Sequence, residues 1–188
     1  MSLDLARALR RLRPERHRDK FVRRPDEALP FVTDVASPGR ELLLDTTVYI
    51  DVLQGRTPDS VDRMLQLRVI NHSSVSLSEL THLFGRLDPQ DRRTPGVLRE
   101  IRGVIAGIPA HRLSAPSVRA SGEAGILAGL VARLGCVQRC RAQTTLNDAL
   151  LYAQAGERGL VVLTRNIREF DFFDQIWPGD CVLFYRTA

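Results

Sequence analysis

The chain has 188 residues, 44% of them hydrophobic, which suffices for one domain with a real core and an additional segment but not for two full domains. No apolar run reaches the roughly 20 residues that a membrane helix needs, so we expect no membrane association. The net charge of +5 indicates a polyanionic partner. That charge is concentrated, because residues 1–24 hold nine basic and three acidic side chains and the rest of the chain is near −1.

The cysteines Cys136, Cys140 and Cys181 are odd in number, and none forms a C-x-x-C pair. The N-terminus has no apolar signal core. We therefore expect buried free thiols in a reducing compartment and a cytoplasmic protein.

The first predicted element is a basic amphipathic helix that ends before Pro14. Leu5, Leu9 and Leu12 recur at helical spacing among arginines. Three hypotheses are open for this arm: it packs through its leucines or is partly disordered, it contacts nucleic acid, or it contacts an acidic surface. Because residues 25–40 are rich in proline, they are predicted to be a linker. We divide the chain into an arm and linker at 1–40 and one domain at 41–188.

From residue 41 short apolar runs alternate with longer helical patterns, which is typical of an α/β fold with a parallel sheet. Strands are predicted at 42–45, 74–77, 160–164 and 181–185. Helices are predicted at 46–54, 59–68, from Glu79 to Phe84, and at 96–108, 117–134 and 146–158. Residues 165–173 are predicted to be a turn.

Several acids are predicted at one rim of this sheet. Asp45 ends the first strand, Glu79 opens the helix after the second, and Asp148 opens the helix before the next strand. Asn166 and Glu169 follow that strand. In parallel α/β sheets the functional residues gather at the carboxyl ends of strands. Each acid alone fits a plainer role, as a helix cap or a first-turn acid.

Together these acids indicate a metal site, because clustered carboxylates repel unless a cation neutralises them. Mg²⁺ or Mn²⁺ suits oxygen ligands and substrate phosphate. Such an ion activates water and stabilises charge on a phosphodiester. The pattern predicts a metal-dependent nuclease.

Four segments resemble the successive motifs of PIN domains, particularly VapC-type toxins of bacterial toxin–antitoxin pairs. They are LLLDTTVYID at 42–51, SLSEL around Glu79, NDALLYAQA at 147–155 and LVVLTRNIREFDFF at 160–173. The resemblance implies a three-layer α/β/α domain with a central parallel sheet, which here carries a basic N-terminal extension. It also implies a Mg²⁺- or Mn²⁺-dependent endoribonuclease that hydrolyses single-stranded or structured RNA. A cognate antitoxin is the protein partner that the resemblance implies, and a homodimer is the implied oligomeric state.

By motif position, Asp45, Glu79 and Asp148 match the three recurrent acids of that family. The hydroxyls of Thr46, Thr47 and Thr164 match supporting positions.

The fourth acidic position departs from the family pattern, since the family often has Asp at Asn166 or Glu169. An amide still ligates or orients water but adds no charge. Two alternatives are therefore open: a catalytically weakened RNA-binding or scaffold protein, and a processing nuclease for RNA or DNA that is not a toxin.

Other polar residues receive more ordinary predictions. Asp51 is predicted to face solvent. Glu123 is predicted to be a surface acid, with assistance at the pocket as the alternative. His82 is predicted to lie on a helix surface or to be packed, and the alternative is that it faces the pocket. Arg165 and Arg168 are the best candidates for phosphate contacts outside the arm. The rings predicted to be core or interface are Phe170, Phe172 and Phe173.

Overall fold

The computed structural model of the protein describes residues 4–33, 39–134 and 142–188. Its centre is a five-stranded sheet in the order β3-β2-β1-β4-β5, and every pair of neighbouring strands is parallel. The strands are β1 Leu42–Leu44, β2 Ile70–Ser73, β3 Leu113–Ser114, β4 Val161–Thr164 and β5 Val182–Phe184.

Eight α-helices surround the sheet in the described part of the chain. They are α1 Leu5–Leu12, α2 Thr46–Leu53, α3 Asp59–Leu67, α4 Ser74–Arg86, α5 Thr94–Ala106, α6 Val118–Arg133, α7 Ala142–Arg158 and α8 Ile167–Ile176. None of the described helices is long and apolar enough to cross a membrane.

The core is divided into two hydrophobic clusters, one on each face of the sheet. Leu43 and Val162 pack into the cluster formed with α6, α7 and α8. Their neighbours Leu42, Leu44 and Leu163 pack into the other, formed with α2 to α5. Since successive strand residues point to opposite faces, the sheet lies between two helical layers. This arrangement confirms the predicted three-layer α/β/α fold.

β1 is the middle strand, and all three of its leucines are buried. Strands of a parallel sheet that are covered on both faces are continuous apolar runs rather than alternating ones. The run Leu42–Leu44 is therefore a strand because helices cover it above and below. The chain then enters α2 directly after Asp45, which places that acid at the carboxyl end of the central strand.

Three predicted elements are wrong or were missed. The second strand is Ile70–Ser73 rather than 74–77, because Ser73 caps α4 by accepting a hydrogen bond from the Val75 backbone N–H at 3.1 Å. The predicted turn at 165–173 is largely α8, whose aromatic face is buried. The two-residue strand Leu113–Ser114 was missed, since so short a strand has no periodic pattern.

The N-terminal helix α1 packs on α6 of its own domain. Leu12 is fully buried, whereas Leu5 and Leu9 are exposed. Arg11 forms an ion pair with Glu123, and its guanidinium lies 4.0 Å from the centre of the Trp177 ring. The prediction that Glu123 is a surface acid is wrong: it is 1% exposed, because Arg11 from the arm covers and neutralises it.

The segment after α1 continues across the domain. Phe21 stacks on Phe172 with ring centres 6.0 Å apart, and Arg24 binds two acids of α8. Farther on, Phe31 forms a parallel bridge with Phe184 of β5. Residues 25–33 of the predicted linker therefore contact the domain, and the division at residue 40 stays a prediction.

The aromatic side chains of α8 lie in the interior, as predicted: Phe170, Phe172 and Phe173 are all buried in the cluster with α6 and α7. Cys181 is a buried free thiol, also as predicted. Cys136 and Cys140 lie outside the described residues. His82 is exposed on the surface of α4.

Candidate active site

Asp45 is held in place by two threonine hydroxyls, one from the helix that it precedes and one from β4. Its carboxylate Oδ2 accepts hydrogen bonds from Thr47 Oγ1 and Thr164 Oγ1, each at 2.6 Å. It makes no side-chain capping bond to α2. Asp45 is thus the N-cap residue of α2 by position and through its backbone carbonyl, which accepts from the Val48 N–H at 3.0 Å, while its side chain is oriented jointly by α2 and β4.

Burial raises the pKa of Asp45, which is 2% exposed. The hydrogen bonds from Thr164 and Thr47 oppose that rise, and the negative charge of Glu79 adds to it. The carboxylate thus lies in a site where its charge is unfavourable without a further cation.

Asp148 is the acid whose pKa is affected by the charges of the three others. It lies on α7, is 5% exposed, and has a pKa well above the ordinary value, chiefly because of burial. The charges of Asp45, Glu79 and Glu169 raise this pKa further, in that order. The four predicted carboxylates are therefore close enough to interact at one rim of the sheet.

Glu79 lies in the second turn of α4, since that helix begins at Ser74 rather than at the acid. Its Oε1 accepts a hydrogen bond from Asn147 Nδ2 at 2.7 Å, and its Oε2 accepts one from the Thr46 hydroxyl. Asn147 was missed as a site residue. The signal that could have found it is its position directly before Asp148 in the third motif.

Asn166 connects β4 to α7. Its side-chain Nδ2 donates to Asp148 Oδ2 at 2.9 Å, and its backbone N–H donates to Thr164 Oγ1 at 2.9 Å. Asn166 therefore orients the Asp148 carboxylate directly through its side chain, and the Asp45 carboxylate indirectly through the Thr164 hydroxyl. Glu169 lies in the first turn of α8 and is buried, so its charge is felt at Asp148.

Asp51 was predicted to face solvent, and this prediction is wrong. Its carboxylate is 0% exposed and accepts a hydrogen bond from the Tyr185 hydroxyl at 2.8 Å. Arg165 Nε lies 2.7 Å and Arg56 Nη2 3.1 Å from its oxygens. The physical reason is that its side of α2 packs against the end of β5 and the loop after β4, where two guanidinium groups neutralise it.

The two arginines predicted to contact phosphate are in different environments. The Arg165 guanidinium is half-buried on Asp51, and its backbone N–H donates to Thr47 Oγ1 at 3.3 Å. Arg168 is exposed on α8, with its guanidinium 6.0 Å from the centre of the Phe172 ring. Arg165 thus stabilises the loop beside the acids, whereas Arg168 is open to a ligand.

The chemistry of the acidic rim fits a hard divalent cation. Within residues 4–33, 39–134 and 142–188, no basic side chain forms an ion pair with Asp45, Glu79, Asp148 or Glu169. Hydroxyl and amide groups are the hydrogen-bonding partners of Asp45, Glu79 and Asp148, and oxygen donors are the ligands that Mg²⁺ and Mn²⁺ prefer. In the same part of the chain, no three His, Cys, Asp or Glu side chains are placed so that together they could hold a metal ion.

No protein family model matches the chain, and no curated protein matches it. Solved structures do share its fold. A chain of the DNA-bound VapBC from Salmonella typhimurium aligns with a TM-score of 0.53 at 24% identity, covering 77% of this chain and 97% of that one. A chain of FitAcB from Neisseria gonorrhoeae aligns with a TM-score of 0.56 at 20% identity, covering 77% and 96%.

A third similar structure is VapBC-5 from Mycobacterium tuberculosis, described as a member of the VapBC family of toxin–antitoxin systems. It aligns with a TM-score of 0.50 at 19% identity and covers 79% of this chain and 100% of that one. The described chain therefore has the α/β fold of these proteins. The PIN-like fold expected from the four motifs is confirmed.

Proposed function

We propose that this protein is a Mg²⁺- or Mn²⁺-dependent endoribonuclease and the toxin of a type II toxin–antitoxin pair. The observation that carries the proposal is that three acids beside the carboxyl ends of β1 and β4, Asp45, Glu79 and Asp148, are held by hydroxyl and amide groups and have no basic partner in the described residues. The fold shared with chains of VapBC structures supports the toxin assignment.

In this proposal Asp45 and Asp148 are the principal metal ligands, and Glu79 ligates or acts through water as a base. When bound, the cation supplies charge stabilisation for the phosphodiester and lowers the pKa of a water molecule. Thr47 and Thr164 hold Asp45 in one orientation, and Asn166 does the same for Asp148. Glu169 completes the negative charge of the site.

The direct test is titration of Mn²⁺ against the purified protein with a pool of single-stranded and structured RNA. We expect cleavage that requires the metal and is lost in Asp45→Asn. The matched control is Asp59→Asn, which neutralises an exposed acid at the start of α3. Absence of metal-dependent cleavage, or equal activity in Asp45→Asn, would refute the nuclease proposal.

Metal binding is measured separately from activity by thermal unfolding. A ligand that binds only the folded state stabilises it by about 2.7 kcal/mol at 100 times its dissociation constant. We expect Mn²⁺ to raise the melting temperature of the wild type and of Asp59→Asn, but not that of Asp148→Asn.

Asn166 favours the alternative of a weakened enzyme that binds RNA, because an amide hydrogen-bonds Asp148 where the family often has an acid. The substitution Asn166→Asp separates the two. If the wild type binds RNA without cleaving it and Asn166→Asp restores cleavage, the scaffold alternative is correct. Cleavage by the wild type supports the proposed enzyme.

Growth separates a toxin from a processing nuclease. Induction of the gene alone is expected to arrest growth, and Asp148→Ala to relieve the arrest. Unimpaired growth with an active enzyme would favour the processing nuclease.

We also propose a cognate antitoxin, which a short neighbouring reading frame would encode. The proposed oligomeric state is a homodimer, for which light scattering should give twice 21.1 kDa.

A further inference from the structure

The basic residues of the N-terminal segment are of two kinds. Those that face the domain are paired with carboxylates: Arg11 with Glu123, and Arg24 with Asp171 and Asp174 at 2.6 Å each. Asp171 and Glu123 are buried, so these pairs fix the segment on α6 and α8. The inner cations are therefore used for anchoring.

The outward-facing cations have no such partners. Six of them are exposed and form no ion pair with a carboxylate in the described part of the chain: Arg7, Arg10, Arg13, Arg16, Arg18 and Lys20. Arg133 of α6 extends toward them and donates to the Pro14 and His17 carbonyls at 2.7 and 2.9 Å. Even after the segment's exposed acids Asp4, Glu15 and Asp19 are counted, this surface has a net positive charge.

Aromatic contacts connect this surface to the acidic rim. Arg168 directly precedes Glu169 of the site on α8, and its guanidinium lies over the Phe172 ring. Phe173, one turn after Glu169, is on the same helix. Phe172 stacks on Phe21, directly after the exposed Lys20. Arg168 beside the rim and Lys20 on the arm thus flank the stacked rings of Phe172 and Phe21, and the exposed arginines that precede Lys20 in the chain continue this line of cations.

We propose that this line, the basic track of Arg168, Lys20, Arg18, Arg16 and Arg13, binds the phosphate backbone of the RNA substrate outside the cleaved bond. The inference rests on the proposed function, in which the scissile phosphodiester lies at the acidic rim. A polynucleotide continues from that point as a chain of phosphates, and arginine forks bind phosphate oxygens in pairs. An acidic protein partner has no such reason to begin at the site.

Two quadruple variants with the same change of charge test the track. R13Q/R16Q/R18Q/K20Q neutralises the arm part of it and keeps Arg11 and Arg24. R86Q/R92Q/R99Q/R102Q neutralises four exposed arginines on and between α4 and α5, in the opposite helical layer. Unchanged circular dichroism and melting temperature in both variants show that the fold and the arm contacts are retained.

Binding of a single-stranded RNA of about 20 nucleotides is measured in EDTA between about 50 and 200 mM salt. Each phosphate contact to a single strand contributes about 0.7 to the slope of log K against log salt, so we expect the arm variant to lower that slope by up to about 3. At low salt we expect an affinity loss on the order of tenfold or more. The α4–α5 variant should keep the wild-type slope.

Cleavage supplies the second readout. The arm variant should raise KM for the long RNA at unchanged kcat and leave cleavage of a tetranucleotide, which is too short to follow the track, unchanged. Equal effects of the two quadruple variants would overturn the proposal, because net charge alone would then explain them. Unchanged binding in both would also overturn it and would assign the arm to packing or to a protein partner.

The two proposals fail in different ways. If Mn²⁺ supports no cleavage but the arm variant lowers the salt slope, the nuclease proposal fails and the track stands. If cleavage is robust and the slope is insensitive to the arm, the track fails and the nuclease proposal stands.

Discussion

At the scale of single residues, the buried carboxylates make the stability of the metal-free protein depend on pH. The pKa values of Asp45 and Asp148 are raised above 3.8, mainly by burial, so the folded protein retains protons that the unfolded chain releases. Stability from these groups is fully present below pH 3.8 and is lost as the pH rises through the raised values.

We therefore expect denaturant unfolding in EDTA to show falling stability of the wild type from about pH 4 toward neutral pH. Asp148→Asn should flatten this fall and stabilise the metal-free protein at pH 7 by on the order of 1 kcal/mol or more. Asp59→Asn, at an exposed position, should leave the profile unchanged. A wild-type profile that rises over this range in parallel with that of Asp148→Asn would contradict the prediction.

Asp51 is a buried acid outside the acidic rim whose removal should lower the stability of the fold. Asp51→Ala leaves the Tyr185 hydroxyl and the Arg165 guanidinium without their acceptor. Because the guanidinium groups of Arg165 and Arg56, which both pair with Asp51, are partly exposed, we expect the free energy of unfolding to fall by about 2 kcal/mol. Breaking a fully buried ion pair would cost more. Urea unfolding measures it, with Glu100→Ala on the exposed face of α5 as a control that should change stability by less than about 0.5 kcal/mol.

Single acids also mark the limit of sequence interpretation. The four motifs predicted Asp45, Glu79 and Asp148 because each lies beside a strand end or in a helix that adjoins the rim. Arg56, which pairs with Asp51, lies five residues after it and not at a helical pair spacing. Asp51 and Glu123 were therefore assigned to the surface, because their other cations, Arg165 and Arg11, are distant in the chain. Pairing over such separations leaves no local pattern.

At the scale of secondary-structure elements, the docking of α1 has a built-in reporter. Trp177 is the only tryptophan in the chain, and the Arg11 guanidinium lies over its ring. Arg11→Ala removes this contact and the ion pair with the buried Glu123, so we expect a shift of tryptophan emission and a loss of about 1 to 3 kcal/mol.

Arg10→Ala is the matched control, because Arg10 is the exposed neighbour on the same helix. It should change neither the emission nor the stability by a measurable amount. If Arg11→Ala leaves the emission at its wild-type wavelength, the packing of α1 against Trp177 is wrong.

Elements with a clear hydrophobic pattern along the sequence were predictable, whereas very short strands and elements next to a helix cap were not. The fully apolar run of β1 and the long pattern of α6 were predicted to within one or two residues. β2 was displaced because Ser-Val-Ser-Leu alternates like a strand, although Ser73 begins a helix there. α8 was taken for a turn because its polar residues are used in separate contacts, Glu169 at the site and Asp171 and Asp174 with Arg24, and its buried face comprises aromatic rings.

At the scale of the whole molecule, the fold was predictable from the alternation of strands and helices, and the acidic rim followed from the rule that parallel strands end on the same side. The course of the arm across α6 and α8 was not predictable, because basic amphipathic helices pack, bind or remain solvated with the same sequence pattern. Here the contacts of Leu12, Arg11 and Phe21 show that one side of the arm packs on the domain.

The bridge between Phe31 and Phe184 has a consequence for how the molecule behaves in concentrated solution. The Val32 backbone N–H donates to the Phe184 carbonyl and the Phe184 N–H donates to the Pro30 carbonyl, both at 2.8 Å, so β5 has bonded neighbours on both sides. An open strand edge is a template for pairing with other chains. Deleting residues 1–33 should therefore produce a protein that self-associates in a concentration-dependent way, visible by light scattering, whereas the full-length chain protects that edge with its own backbone.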